Sequence, residues 1–265
     1  MQHDNGLGWT FDTAAGSYDR YRPGYPEELY RAISGYIPID SRSRVLEVGI
    51  GTGQATLPVL RTGCALTAVE CGESLARKCR EKFSGYRDFN VLTGRFEDVS
   101  LQDGEYDLVM SATAFHWIPE QIGYQKVFRL LKSGGAFARF AVRPCLSEDN
   151  AELAEEIQAL YERYYYPYYD RKPSKPVPFT EQQAAELADI AGRYGFTDIR
   201  YELFRRVRSI TGERYRALLC TYSDHIAMPE SVREPFLDGI AEAVKRSGDC
   251  IRISDMIDLE LARKP

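Results

Sequence analysis

The chain has 265 residues, 44% of them apolar and 28% charged, which is enough for one sizeable α/β domain or a domain with an elaborate insertion. With 34 Lys and Arg against 39 Asp and Glu the net charge is −5, a balance that disfavours nucleic acid and other polyanions as partners. The opening Met-Gln-His-Asp-Asn-Gly has no secretory pattern and no run reaches the length of a membrane span, so a cytoplasmic chain without a membrane partner is expected.

Residues 1–43 precede the first strand and are read as a helical, lid-like segment. Residues 44–143 alternate short apolar runs with helical stretches, the pattern of a parallel sheet covered by helices. Strands are predicted at 44–48, 65–70, 89–93, 106–111 and 136–142, with helices at 54–62, 73–84 and 121–132. Gly49, Gly51 and Gly53 follow the first strand and make a tight turn without Cβ atoms, so a ligand can rest against bare backbone. After Val142 the alternation stops, and residues 144–265 read as helical insertions plus two more strands. A helix at 148–166 leads into a proline-rich connector at 167–178; Thr180 then caps a helix that Gly195 ends. Strand-like alternation at 201–210 and 251–261 brackets a helical stretch that includes an amphipathic run at 230–246.

The glycine turn separates two cofactor classes. The dinucleotide fingerprint Gly-x-Gly-x-x-Gly needs a glycine where this chain has Gln54, and the third glycine comes one residue early at Gly53. Glu47 lies inside the strand before the turn, and Glu70 ends the next strand. Glu47-x-Gly49-x-Gly51-x-Gly53 followed by Glu70 resembles motif I and its acidic partner in the class I S-adenosylmethionine-dependent methyltransferases. Two further stretches, Phe11-x-x-x-Ala15-x-x-Tyr18-x-x-x-Arg22-Pro23-x-Tyr25-Pro26 and Ala114-Phe115-His116-Trp117, resemble the trans-aconitate methyltransferase group. The resemblance covers residues 9–143 by motif and 144–265 by general arrangement. It implies a Rossmann-like α/β fold: a seven-stranded mixed sheet with helices on both faces, ending in an antiparallel hairpin. The two insertions would then form a helical cap over the C-terminal edge of the sheet.

The same resemblance implies S-adenosyl-L-methionine as cofactor, held by Tyr18, Tyr21, Arg22, Glu47, Gly49, Gly51, Thr52, Gly53, Glu70, Phe96, Glu97 and Ser111. Glu70, at a strand end, would accept hydrogen bonds from the ribose hydroxyls, and Glu47 would hold the amino-acid end. In the loop after the third strand, Glu97 or Asp98 would face the adenine amino group, with Phe96 packed on the base or in the core. Met110-Ser111 at the end of the fourth strand supplies no carboxylate for a metal, and the Asn/Asp-Pro-Pro-Tyr/Phe motif of nucleobase amino-methyltransferases is absent there. Six cysteines without a Cys-x-x-Cys pair read as reduced thiols rather than disulfides or zinc ligands.

Methyl transfer from a sulfonium is an in-line displacement that depends on alignment and on excluding water. His116, Arg22 and Tyr25 are the candidate catalytic residues, His116 as a general base, a hydrogen-bond donor or merely a packed ring. Arg139 and Arg143 leave the fifth strand on the ligand-bearing edge and, with Trp117, are expected to bind the acceptor. The tyrosine cluster at 161–169 reads equally as pocket wall, cap packing or dimer surface. The expected activity is methylation of a small-molecule acceptor, a carboxylate among the options, by a monomer or homodimer. Two alternatives remain at this stage: a non-catalytic module that binds S-adenosylmethionine or S-adenosylhomocysteine, and a nicotinamide-dependent oxidoreductase, which Gln54 opposes.

Overall fold

The computed structural model describes residues 15–147, 149 and 151–265, so Phe11 of the tyrosine-rich opening lies outside the described residues. The apolar runs form β1 (Arg44–Val48), β2 (Ala65–Glu70), β3 (Phe89–Thr93) and β4 (Tyr106–Ala112), all parallel. β1 is buried along Val45–Val48, as a central parallel strand covered on both faces must be. β5 (Leu131–Leu146) is longer than the 136–142 expected from its apolar run. Beyond Val142 the cause is non-local: β7 (Ile251–Arg263) pairs antiparallel with it from Ala136↔Arg263 to Leu146↔Ile253, while at its start Leu131 pairs with Tyr106 of β4. β6 (Thr197–Ile210) pairs antiparallel with β7 in turn, giving seven strands in the order β3-β2-β1-β4-β5-β7-β6. The hairpin and the mixed sheet are as expected, with both terminal strands longer than their alternation suggested.

The helices in the first half of the chain are α1 (Ala15–Tyr21), α2 (Glu27–Tyr36), α3 (Thr56–Leu60), α4 (Glu73–Lys82) and α5 (Glu120–Leu130). α2 buries Leu29, Ile33 and Tyr36, one apolar stripe at helical spacing. With Val59 and Leu60 of α3 and Cys79 of α4, it covers one sheet face over Val45, Leu108, Phe140 and Leu259. Tyr124, Val127 and Leu130 of α5 cover the other face over Leu46, Val109 and Phe137.

The insertions contribute α6 (Ala151–Leu160), α7 (Glu181–Asp189), α8 (Gly212–Leu219), α9 (Ser223–Ile226) and α10 (Glu230–Arg246). Thr180 caps α7 in a capping box with Gln183, and Gly195 closes the following turn at φ 89°. α6 continues through a wide π turn at Tyr161–Tyr165. Leu153 and Ile157 of α6, Leu218 and Leu219 of α8, and Phe236, Ile240 and Val244 of α10 share one cluster with Ile251 and Ile253 of β7. The two insertions therefore share one hydrophobic cluster through α6, α8 and α10, rooted on the first residues of β7, whereas Leu187 of α7 packs with the α5 side of the sheet. Among the described residues no helix is long and apolar enough to cross a membrane.

Candidate active site

The strand order reverses between β1 and β4, where an open α/β sheet leaves a crevice beyond its carboxyl ends. A cavity of about 860 Å³ opens there, within the size range of small-molecule sites. Its lining includes ten of the expected site residues: Tyr18, Arg22, Tyr25, Glu47, Gly49, Gly51, Glu70, Phe96, Glu97 and Trp117.

The glycine turn forms the floor, and its three glycines differ in what they do. All have positive φ, at 73°, 59° and 79°. A Cβ on Gly53 would lie 2.4 Å from the Phe83 ring, and one on Gly49 would lie 2.4 Å from the Ala114 Cβ, so both allow close packing behind the turn. Among the described residues, a Cβ on Gly51 meets nothing nearer than the Tyr18 ring at 3.5 Å and would project toward ligand space. Glu70 is buried and grips the turn: its Oε2 accepts from the Gly51 N–H at 2.8 Å and its Oε1 from the Gly72 N–H at 2.9 Å.

Glu47 accepts from the Thr56 hydroxyl at 2.8 Å through Oε2, while its buried Oε1 has no hydrogen-bond partner among the described residues. Burial, against the Thr56 bond and helped by the charge of Glu70, pushes its pKa up to about 8. An orphaned carboxylate oxygen on a cavity wall is suited to a donor supplied by a ligand. At the opposite side of the floor, Gly94, Arg95, Phe96 and Glu97 line the cavity, with Phe96 buried and Glu97 accepting from Arg95 at 2.9 Å.

The far wall joins elements distant in sequence. Arg22 donates from Nη2 to the Thr221 carbonyl at 2.9 Å and stacks between the rings of Tyr18 and Tyr222, at 4.9 and 4.5 Å. Tyr25 shares a 2.7 Å hydrogen bond with the Thr113 hydroxyl and meets Phe140 edge-on. Burial raises the pKa of Tyr25, and likewise that of Tyr222, so both phenols remain protonated donors at neutral pH. Arg208 completes this wall, bidentate to the fully buried Asp255 at 2.6 and 2.9 Å. Arg206 shares that carboxylate and also donates to the Gly24 carbonyl, so three charges leave a net positive end.

Seven expected residues do not line the cavity. Ser111 is fully buried and donates to the Val48 carbonyl at 2.8 Å, clamping β4 to the end of β1. Thr52 is buried with its hydroxyl paired to Gln54, and Gly53 packs on Phe83, so both shape the turn from behind. Tyr21 is half-buried under the Arg20 guanidinium. Arg139 and Arg143, expected to bind the acceptor, are not among the residues that line the cavity. In β5 it is Val142 and Pro144 that line the cavity, and the pleat turns Arg139 and Arg143 the other way. There Arg139 pairs with Glu260, its register partner in β7, at 2.8 Å, and Arg143 pairs with Asp258 at 3.0 Å. His116 is an exposed residue whose ring tilts 41° against that of Trp117, 5.1 Å between centroids, so part of it is open to solvent. Desolvation of the remainder, with the charges of Arg143 and Arg139, lowers its pKa to about 4, so the ring is neutral at physiological pH.

Four residues of consequence were missed. Arg208, Tyr222 and Thr113 line the cavity, and Lys126 holds one of its loops from outside. The alternating Arg206 and Arg208 in a predicted strand were a signal that one face there is cationic, but nothing local ties them to Asp255.

The chain also matches known proteins. Residues 45–135 fit a family model described as a methyltransferase domain. An uncharacterized methyltransferase-like protein of Schizosaccharomyces pombe is 27% identical over 241 residues, covering 89% of this chain and 88% of the relative. An uncharacterized methyltransferase of Mycobacterium bovis is 30% identical over 178 residues, covering 67% of this chain and 69% of the relative. The phosphoethanolamine N-methyltransferase 2 of Haemonchus contortus, solved with phosphomonomethylethanolamine and S-adenosylhomocysteine, superposes with a TM-score of 0.56 at 16% identity. That likeness is one of fold, over 96% of this chain and 57% of the longer Haemonchus protein.

Proposed function

The chain belongs to the class I S-adenosylmethionine-dependent methyltransferases, and from that premise we propose that its acceptor is a small carboxylate. The observation that carries this is the far wall of the cavity, where Arg22, Arg208 and the protonated Tyr222 present cations and donors together. Such a wall favours an anionic acceptor over an amine, which it would repel. A carboxylate is ionised at neutral pH and needs no base before it attacks. That agrees with a site in which Tyr25 and Tyr222 keep their protons and His116 stands outside the cavity lining.

The residues present fit the methyl donor. The orphaned Oε1 of Glu47 would accept from its ammonium, and Glu70, which already accepts from the Gly51 and Gly72 N–H groups and weakly from the Cys71 thiol, would accept from its ribose hydroxyls as they displace that thiol. Gly51 leaves the space that a Cβ would fill, and Phe96 with Glu97 would take the nucleobase. When bound, S-adenosylmethionine supplies a methyl group already activated by the sulfonium charge. Tyr18, Tyr25, Trp117 and Tyr222 wall the space between donor and acceptor, exclude water and offer ring faces suited to a cation. Arg22, bridging Tyr18 and Tyr222, would align the acceptor with the donor.

The test is to incubate the full chain with S-adenosylmethionine and a panel of small carboxylic acids, phenols and amines, and to identify products by mass spectrometry. Methyl esters are expected; methylation confined to amines or phenols would overturn the carboxylate assignment. Arg208→Leu should raise the KM of the acid about 10- to 100-fold, the loss of one charge-assisted contact, while the cofactor Kd is unchanged. Glu70→Ala should weaken binding of donor and product alike by about 1–3 kcal/mol, measured by calorimetric titration. An unchanged dissociation constant would remove Glu70 from the site.

A further inference from the structure

Lys126 lies in the middle of α5 on the helix stripe that faces the sheet, yet among the described residues its ammonium forms no ion pair with a carboxylate. Its Nζ donates to three backbone carbonyls in a four-residue span: Phe96 at 2.5 Å, Val99 at 2.6 Å and Glu97 at 3.2 Å. An ammonium has three protons, and this loop uses all of them. The side chain is 8% exposed, and its ammonium also lies 5.0 Å from the centre of the Phe96 ring. Burying an ammonium is costly unless its protons find acceptors, so these contacts are held tightly rather than incidentally. Other bonds pull the same loop into shape: the Gly94 N–H donates to the Glu70 carbonyl, and the Asp98 and Val99 N–H groups fold back on the Arg95 carbonyl.

The geometry has a consequence for the cavity. In a trans peptide the carbonyl and the next N–H point in opposite directions, and no cis bond occurs among the described residues. Anchoring the Phe96 carbonyl on Lys126 therefore turns the Glu97 N–H away from α5. Gly94, Arg95, Phe96 and Glu97 are the residues of this loop that line the cavity. We propose that Lys126 is a positioning residue that fixes the loop 94–99 and so sets the selectivity of this end of the cavity for an adenine ring. The inference rests on the assignment of Phe96 and Glu97 to the nucleobase made above. Lys126 touches no ligand; it acts through the peptide planes that it orients.

The test compares the full wild-type chain with Lys126→Met and Lys126→Gln by calorimetric titration. The probes are S-adenosylhomocysteine and S-inosylhomocysteine, which differ at two neighbouring atoms of the base: an amino group or an oxygen at position 6, and an N1 that accepts in the first and carries a proton in the second. The wild type should prefer the adenosyl ligand at least about 10-fold. Both variants should lose affinity for it about 10- to 100-fold and should narrow the preference to a few-fold, with Lys126→Gln less affected because it retains one donor group. A merely structural lysine would weaken both ligands equally, and an unchanged ratio in a folded variant would overturn the inference. So would failure of both variants to fold, since Lys126 would then serve the core rather than the base. A wild type that binds neither ligand would instead overturn the cofactor assignment beneath it. Wild-type binding without discrimination would leave that assignment standing and overturn the role of Lys126.

Discussion

Gly51→Val should give a chain that folds but binds neither S-adenosylmethionine nor S-adenosylhomocysteine, with Kd raised at least about 100-fold, equivalent to roughly 3 kcal/mol. Position 51 has φ 59°, and a side chain there points toward ligand space rather than into packed atoms, its nearest neighbour being Tyr18 at 3.5 Å. The left-handed backbone costs a valine about 1–2 kcal/mol, which lowers the melting temperature without abolishing the fold. Gly53→Val is the contrasting control, because its Cβ would overlap the Phe83 ring at 2.4 Å and the defect there should be one of stability. Circular dichroism on heating and calorimetric titration separate the two. Normal affinity in folded Gly51→Val would sink the assignment of the turn as the cofactor cradle.

The contrast between those glycines marks how far a sequence can be read. Three alternate glycines after an apolar run announce a turn that needs positive φ, and all three have it. Which of them faces a ligand depends on Tyr18, Phe83 and Ala114, residues brought to the turn by α1, α4 and the end of β4. β1, β2 and β3 begin and end where their apolar runs do, because the pattern that marks each of them is local in sequence. β5 past Val142 and β6 before Tyr201 run beyond their predicted limits because β7, more than a hundred residues from β5, supplies the missing hydrogen bonds.

The site divides along the same line. Glu47 and Glu70 were legible because their distance from the glycines is local. The arginines were not. A strand predicted at 136–142 leaves open which of its alternating residues faces the crevice, and one step of pleat separates Val142, on the cavity wall, from Arg143, on Asp258. Arg139 and Arg143 leave the sheet at the expected edge, but the pleat sets them off the cavity lining, on Glu260 and Asp258. Arg208 was passed over for the complementary reason: charges alternating along a C-terminal strand look like a solvated face until the partner strand brings Asp255 beneath them. Lys126, likewise, is a polar residue in an amphipathic helix whose role exists only once the 94–99 loop is folded against it.

Asp255→Ala should destabilise the chain by about 3 kcal/mol, lowering its melting temperature on the order of 6–12 °C. Asp255 is fully buried and carries both Arg206, its register partner in β6, and Arg208, one pleat further on. Removing it leaves two guanidiniums, 26% and 17% exposed, without their shared counter-charge; partial exposure keeps the effect at the lower end for a broken buried pair. The same argument says what would restore stability. Replacing the whole triad with apolar residues of similar volume, as in Arg206→Met/Asp255→Leu/Arg208→Met, removes the unpaired charges and should recover most of the lost melting temperature. It should not recover turnover of a carboxylic acid, because Arg208 is gone from the cavity wall, while binding of S-adenosylhomocysteine at the glycine turn should persist. Differential scanning calorimetry with a methyl-ester assay would read both effects. A triple variant that regains stability and also methylates the acid with the wild-type KM would show the cationic wall to be a structural device alone, and the acceptor would then have to be recognised by Arg22 and the aromatic residues around it.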